Sequence, residues 1–121
     1  MRNDRENIIV EKTLAFSLLI IRYCNTHIEE KKFIVANQLL RSSTSIGANV
    51  FEAQNAESKA DFIHKMKVAA KEASESLYWV TLCEKSEGYN YEEKYKNDLE
   101  DIIRILSRKI ATSKQELPFG S

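Results

Sequence analysis

Glycine and proline are scarce in this chain, and their scarcity restricts its possible folds more than any other feature of the sequence. Of 121 residues, three are glycine and one is proline. Gly47 is the only glycine before Gly88, and Pro118 lies three residues from the end. A β-sandwich or β-barrel needs frequent turns built on glycine, proline, asparagine or aspartate. A P-loop or Rossmann unit needs a glycine-rich loop. The sequence excludes these classes and predicts long helices.

The charges of the chain balance. Lys and Arg total 18, and Asp and Glu also total 18, so the formal net charge is zero. This balance argues against a uniformly basic nucleic-acid binder, although a local basic patch stays open. A chain of this length is expected to form a single domain with one core.

The apolar segments and the cysteines indicate the cellular location of the protein. The start of the chain lacks the basic-then-apolar order of a signal peptide. The longest apolar run of the first helix, residues 18–21, is far shorter than the ~20 residues of a membrane span. Cys24 and Cys83 lie far apart without metal-type spacing and are expected to be reduced thiols. We therefore expect a cytoplasmic protein without a membrane partner.

Apolar residues recur at helical spacing in four segments. They predict helices over about residues 7–27, 32–55, 59–87 and 91–115, with a flexible tail at 116–121. The last three helices each have one seam: Val35, Leu39, Ser42, Ile46, Val50 and Ala53; Phe62, Met66, Ala69, Ala73, Ser76, Val80 and Cys83; Tyr95, Leu99, Ile102, Leu106 and Ile110. Short connections favour antiparallel neighbours. The predicted fold is an all-α, antiparallel up-down-up-down four-helix bundle.

The first helix differs from the others because it has two apolar stripes. One consists of Val10, Leu14, Leu18 and Ile21, and the other of Ile9, Phe16, Ile20 and Tyr23. A helix packed on one side needs only one stripe. Two stripes suggest burial on two sides, either at the centre of the fold or against another subunit.

Local signals mark the helix ends. Ser58 and Asp61 have the form of a capping box before the third helix. Gly88 is expected at the C′ position after that helix, and Asn90 is expected to cap the fourth. Gly47 lies inside a helix, where glycine costs about 1 kcal/mol relative to alanine. We expect a second helix to approach closely there.

A set of residues between positions 41 and 79 resembles a known family. The family pattern of Arg, then Ser-Ile-x-x-Asn-Ile/Val-x-Glu, then Ser-x-x-Glu/Asp-Phe is matched by Arg41, Ser45, Ile46, Asn49, Val50, Glu52, Ser58, Asp61 and Phe62, with 71–79 following at the expected distance. The stretch is similar to the bacterial four-helix-bundle family named for the 23S rRNA intervening-sequence protein. Ala53 stands where the family often has glycine.

The resemblance implies an assembly as well as a fold. It implies an antiparallel bundle that forms a ring-like homo-oligomer, a pentamer. It implies little about activity, although related retroelement accessory proteins are thought to bind nucleic acid.

Four of the matched residues form one polar stripe on the second helix. Arg41, Ser45, Asn49 and Glu52 follow one another at helical spacing, beside the apolar seam. Such a stripe could be a ligand site. We favour a structural network between helices or subunits, in which Arg41 and Glu52 help to satisfy Asn49 and Ser45.

The sequence offers little for catalysis. A di-iron bundle needs two Glu-x-x-His motifs, and the chain has none. Cys24 with His27, and Asp61 with His64, each supply only half a metal site. No nucleophile turn or oxyanion loop accompanies the serines. We expect no catalytic residue, no cofactor and no metal, and hence no enzyme.

Charge and aromatic residues are unevenly distributed. Residues 84–101 carry a net charge of −4 and residues 104–114 a net charge of +4. In an antiparallel bundle this predicts one acidic and one basic end, although cations near the C-terminus of a helix are also favoured by its dipole. Five aromatic residues near the last turn could stack on bases, but an aromatic cap or a subunit contact is the favoured interpretation: Tyr78, Trp79, Tyr89, Tyr91 and Tyr95.

Two hypotheses of function follow. The first is a non-enzymatic, self-assembling helical scaffold that uses its surplus apolar surface. The alternative is an RNA- or DNA-binding accessory protein that uses the basic face of a ring-shaped homo-oligomer. Its expected phosphate contacts are Lys59, Lys65, Lys67, Arg104, Arg108 and Lys109.

Overall fold

The computed structural model describes residues 7–30 and 32–117, and within them the chain is an all-α fold of four helices without strands. The helices are α1 (Ile8–Glu29), α2 (Phe33–Ala53), α3 (Lys59–Lys85) and α4 (Glu93–Gln115). Each observed helix end lies no more than two residues from its predicted position. The start of the chain and residues 118–121 of the predicted tail, with Pro118, lie outside the described residues.

Helices that are neighbours in sequence are also neighbours in space. α1 packs on α2, α2 on α3 and α3 on α4, while α4 packs less extensively on α1. Arg41 of α2 meets Glu72 of α3. Further along α2, Glu52 meets Lys65, which lies earlier on α3. Residue numbers therefore rise on one helix as they fall on the other, which is the pattern of antiparallel neighbours joined by short connections.

The interior is built from the predicted seams. The buried seam residues are Leu39, Ser42, Ile46, Val50, Ala53, Met66, Ala69, Ala73, Ser76, Val80, Cys83, Tyr95, Leu99, Ile102 and Leu106. Val35, Phe62 and Ile110 are only partly buried. The hydroxyl groups of Ser42 and Ser76 lie 2.7 Å apart and share a hydrogen bond between α2 and α3. The small serines thus bring the two helices together without leaving buried polar atoms unpaired.

The capping signal before α3 is confirmed. The Asp61 backbone N–H donates to Ser58 Oγ at 3.0 Å, which satisfies one of the free donors at the start of the helix. In a capping box the Asp61 carboxylate would accept a hydrogen bond from the N–H of Ser58 itself. Here it accepts from the N–H of the preceding residue, Glu57, at 3.1 Å. Ser58 nevertheless sets where α3 begins.

Gly88 adopts the predicted left-handed conformation, but it does not occupy the predicted C′ position of α3. Its φ is 88°, in the left-handed region that favours glycine. α3 ends at Lys85 with Ser86 as its C-cap, so Gly88 lies two residues after the cap instead of one. The left-handed turn therefore belongs to the α3–α4 connection, where Gly88 offers its carbonyl to the Lys32 ammonium group.

The predicted cap at Asn90 is wrong. α4 begins at Glu93, and Glu92 holds the N-cap position without a side-chain hydrogen bond. Asn90 lies too early because the chain runs extended through Glu92 before it turns into the helix. The carbonyl of Asn90 instead accepts a hydrogen bond from the Tyr23 hydroxyl of α1.

Close packing at Gly47 is confirmed. A Cβ added there would lie 3.3 Å from Ser17 Oγ and 3.5 Å from the Thr13 carbonyl oxygen, both on α1. Glycine at this position therefore lets α1 and α2 approach each other, which offsets its low helix propensity.

Candidate self-assembly surface and basic end

The two apolar stripes of α1 have different environments. Ile9, Phe16 and Ile20 of one stripe are buried against the other helices. Leu14 and Leu18 of the other stripe are 59% and 54% exposed. The second stripe therefore does not lie at the centre of the fold, although Val10 at its start packs partly against the core. Its burial against another subunit stays a prediction.

Apolar residues of α2 lie beside the exposed stripe, and we call the two together the α1/α2 face. A groove of about 310 Å³ runs between the two helices. Phe51 is 66% exposed at its edge, and Phe33 lies on the same side of α2 five helical turns earlier. The face consists of Val10, Thr13, Leu14, Ser17, Leu18, Ile21, Phe33, Thr44, Gly47, Ala48 and Phe51. None of these residues is charged, although 30% of the chain is.

Arg41 of the predicted polar stripe connects α2 to α3. Its guanidinium group lies 3.3 Å from a carboxylate oxygen of Glu72 and also binds Glu75. Glu75 accepts a second hydrogen bond from Trp79 Nε1 at 2.9 Å. These two donors hold the pKa of Glu75 below its usual range. The arrangement fixes three neighbouring side chains on the surface of α3.

The other residues of the stripe have separate partners. Asn49 Nδ2 donates to the backbone carbonyl of Ser45 at 2.9 Å. Glu52 lies 3.8 Å from the ammonium group of Lys65 on α3. Within the chain, Arg41 and Glu52 contact opposite charges of α3, whereas Asn49 contacts the backbone of its own helix. A structural role for the stripe stays a prediction.

Three of the predicted phosphate-contacting cations are paired with carboxylates. Lys59 lies 2.5 Å from Glu116, and Lys65 pairs with Glu52. Arg104 binds Asp101 one turn earlier on α4. Lys65 is half-buried and the other side chains are exposed, so such pairs are weak and salt-sensitive.

Four further cations lie on α3 and α4: the three other predicted phosphate contacts, Lys67, Arg108 and Lys109, and also Lys114. Lys67 on α3 interacts with Lys114 on α4, through their side-chain contact first and their like charges second, and this interaction lowers the pKa of Lys67. Arg108 and Lys109 border a shallow cavity of about 230 Å³. Within the part of the chain that the structure describes, none of these four cations has an ion-pair partner. They are the candidate anion contacts of the basic end.

The predicted aromatic cluster divides into two groups. Tyr89, Tyr91 and Tyr95 gather near the end of α1, where Tyr95 lies 4.7 Å from Tyr23 between ring centroids. The Tyr78 and Trp79 rings form a separate edge-on pair on α3, with centroids 5.2 Å apart. The first group packs against the bundle, and Tyr78 is exposed.

His27 belongs to the first aromatic group, although the sequence indicated it only as half of a metal site with Cys24. Its ring lies 4.4 Å from Tyr23 and 4.9 Å from Tyr89 between centroids. It is 1% exposed, and neither ring nitrogen has a hydrogen bond to a described residue. Burial lowers the pKa of His27, and Glu30, 3.6 Å from Nδ1, acts in the opposite direction. Its spacing of four residues from Tyr23 was the signal that could have revealed its burial.

The two cysteines lie inside the bundle as free thiols. Cys24 Sγ donates to the Ala36 carbonyl at 3.3 Å, and burial raises the pKa of Cys24 to about 12. Burial also raises the pKa of Cys83. Thiols with raised pKa are poor nucleophiles and poor metal ligands.

Residues 7–30 and 32–117 contain neither a cluster of metal ligands nor a membrane-spanning helix. Three or more His, Cys, Asp or Glu side chains do not come together there as a metal site would require. Within the same ranges, none of the helices combines the length and apolar content needed to cross a bilayer.

Comparison with known proteins identifies the family. The model of the 23S rRNA-intervening sequence protein family matches residues 5–111. The chain belongs to this family. It is also similar to a crystal structure of a protein of unknown function from the S23 ribosomal protein family of Bacteroides thetaiotaomicron, at 40% identity and a TM-score of 0.80. That alignment covers 84% of this chain and 97% of the other. No curated protein matches the chain.

The match to the 23S rRNA-intervening sequence protein family confirms the resemblance found between residues 41 and 79. It covers α1, α2 and α3 entirely and α4 as far as residue 111. It therefore includes the α1/α2 face, the polar stripe and the six predicted phosphate contacts. Phe33 and Phe51 are exposed residues that the sequence did not single out, because outward-facing aromatic residues fall outside the seams.

Proposed function

We propose that this protein is a non-enzymatic helical scaffold that assembles with copies of itself. The observation that carries the proposal is the uncharged, exposed α1/α2 face. Isolated apolar residues are ordinary on protein surfaces, but a continuous apolar patch marks an interaction site. Family membership and a four-helix fold are compatible with such a role.

The size of the face suits a protein–protein contact. The exposed fractions of Leu14, Leu18, Ile21, Phe33 and Phe51 together equal between two and three fully exposed large side chains. At about 200 Å² for each, they present roughly 500 Å² of apolar surface. A standard interface buries about 800 Å² on each partner, of which about 60% is apolar. The face therefore supplies the apolar part of one such interface.

A second copy of the chain is the partner we propose. The resemblance discussed above implies a ring-like homo-oligomer, and a pentamer is the number of subunits we expect. The α1/α2 face contains no charge that would select a charged ligand, and its groove is open to an apolar side chain. Burying a surface of this kind favours association through the hydrophobic effect.

Sedimentation velocity over a range of micromolar concentrations tests self-assembly. We expect particles several times larger than the 14.0 kDa of one chain. Leu18→Lys places a charge on the face and should shift the protein towards a monomer. Ser107→Lys adds the same charge to an exposed position of α4 and should leave assembly unchanged. A wild-type protein that stays monomeric throughout would overturn the proposal.

Nucleic-acid binding at the basic end is a second candidate function. The interaction between Lys67 and Lys114 supports it because an anion between two ammonium groups would relieve their repulsion. Arg108 and Lys109, on the same helix as Lys114, supply two further cations. In a homo-oligomer these cations would recur in every subunit and increase the avidity for a phosphate backbone. RNA and DNA both present this phosphate chemistry.

A salt titration with a structured RNA and with duplex DNA tests this candidate. Four phosphate contacts predict that log K falls with log salt concentration with a slope of roughly −3. Lys67→Gln with Lys114→Gln should make the slope shallower, whereas Lys12→Gln on α1 should not. Absence of binding at low salt, or a slope near zero, would exclude nucleic acid as the partner.

We also propose a cytoplasmic location. It is supported by the free, buried thiols of Cys24 and Cys83, because reduced cysteines are typical of that compartment. Cell fractionation with an antibody to the native protein tests it, and recovery outside the cytoplasmic fraction would contradict it.

A further inference from the structure

The exposed hydrophobic side chains of the described residues are unevenly placed. Eight large ones are exposed; seven of them lie on α1 and α2, and the eighth is Tyr78 on α3, 59% exposed. α1 and α3 occupy opposite corners of the bundle, because each packs on α2 and α4. The molecule thus has a broad apolar face on one side and one exposed aromatic side chain on another.

Tyr78 is held on a supported site. Its ring packs edge-on against Trp79, with an interplanar angle of 71°. Trp79 is in turn fixed by its hydrogen bond to Glu75, which Arg41 binds from α2. A tyrosine on such a support loses little conformational freedom when it binds, because its neighbours already restrict its position.

The carboxylate that supports Trp79 has a cationic partner. Arg41 binds both Glu72 and Glu75, and Glu75 is the hydrogen-bond partner of Trp79. An uncharged partner surface could cover this region without leaving an isolated carboxylate buried. The α1/α2 face is such a surface, since it contains no charged residue.

The groove of the α1/α2 face fits one aromatic side chain. Its volume of about 310 Å³ is at the lower end of the range for ligand pockets, and Gly47 at its base leaves room that a larger residue would fill. Val10, Leu14 and Phe51 provide apolar walls, while Ser17 provides a hydroxyl group. A tyrosine ring with its hydroxyl group matches this mixture of surfaces.

We propose that Tyr78 of one copy inserts into the α1/α2 groove of the next copy. This inference rests on the self-assembly proposed above and specifies its contact. The two contacting surfaces differ, so the interface is head-to-tail, and each copy keeps one free surface of each kind for a further neighbour. Arg41 is a positioning residue for this contact, because it acts on Tyr78 through Glu75 and Trp79.

Complementation between two variants tests the proposal. Tyr78→Lys removes the inserting side chain, and Ala48→Arg fills the groove from an exposed position. Each variant alone should be monomeric, with its association weakened by about 30-fold or more, as for an interface hot spot. Mixed in equal amounts, they should form a heterodimer and nothing larger, because one partner still has Tyr78 and the other still has an open groove. Tyr78→Phe keeps the ring and should still assemble, more weakly than the wild type because it lacks the hydroxyl group.

The outcomes separate this inference from the proposed function. If the wild type assembles and Tyr78→Lys assembles equally well, or if the mixture stays monomeric, the Tyr78 contact is overturned while self-assembly stands. If the wild type itself is monomeric, self-assembly fails first. Circular dichroism checks that each variant is folded, and Phe51→Lys replaces Ala48→Arg if the latter is not.

Discussion

Replacing Gly47 by alanine should stabilise the bundle by about 0.5 kcal/mol. Alanine is favoured over glycine in a helix interior by about 0.8–1.0 kcal/mol. The new Cβ would lie 3.3 Å from Ser17 Oγ, so that oxygen must move by a few tenths of an ångström. The Thr13 carbonyl, at 3.5 Å, is in ordinary contact and need not move. Displacing the serine hydroxyl costs up to about 0.5 kcal/mol, comparable to an off-rotamer side chain.

The measurement is urea unfolding followed by circular dichroism. It is made in the Leu18→Lys background, because self-assembly would make the apparent stability depend on protein concentration. Ser17→Ala removes the oxygen that the new Cβ meets, so Gly47→Ala in that background should gain about 1 kcal/mol. The double-mutant cycle then yields a coupling of about 0.5 kcal/mol. Destabilisation by Gly47→Ala in both backgrounds would refute the reasoning, since the α1 backbone would then be the obstacle.

Three further predictions concern the core, a helix cap and a buried titratable group. Leu99→Ala removes a fully buried side chain and should lower the free energy of unfolding by about 2–5 kcal/mol in chemical denaturation; a loss below about 1 kcal/mol would contradict its place in the core. Ser58→Ala should cost about 1 kcal/mol by the same assay and Ser58→Gly only a few tenths, because glycine suits a cap position; equal losses would argue against the cap. His27 has a lowered pKa when folded, so protons favour the unfolded chain and stability should fall as the pH drops below about 6.5. Unfolding measured between pH 7 and 5 should show a smaller loss for His27→Gln, and identical profiles would exclude this role.

The buried seams could be predicted from the sequence, because apolar residues at helical spacing lie on one side of a helix and that side faces the core. Leu39, Ile46 and Val50 recur on one side of α2, and each is fully buried. The start of α3 was predictable because it depends on a local contact. The Ser58 side chain caps α3 within the same short segment of sequence. Gly47 was interpretable because an internal glycine is costly and needs a compensating contact.

Features that depend on contacts between helices could not be derived in the same way. Asn90 resembles a cap, but Glu92 is still extended and the Tyr23 hydroxyl of α1 donates to the Asn90 carbonyl. Arg41 resembles a partner for Asn49, but the acidic residues of α3 lie within reach once the helices pack. In both cases the local pattern was compatible with two partners, and only the tertiary arrangement selected one.

A comparison of α1 with α4 explains why the exposed apolar stripe of α1 suggests a partner outside the chain. Both helices pack against two neighbours. α4 satisfies that arrangement with a single buried seam and contributes none of the large exposed hydrophobic side chains found among the described residues. Four of those side chains, Ile8, Leu14, Leu18 and Ile21, lie on α1. The bundle therefore does not need the second stripe, and a polar residue would serve a monomer as well at each exposed position. Surplus apolar surface of this kind is a liability in a monomer, because it promotes unspecific association. A specific partner that covers the stripe removes that liability, which is the strongest physical reason to seek one on the α1/α2 face.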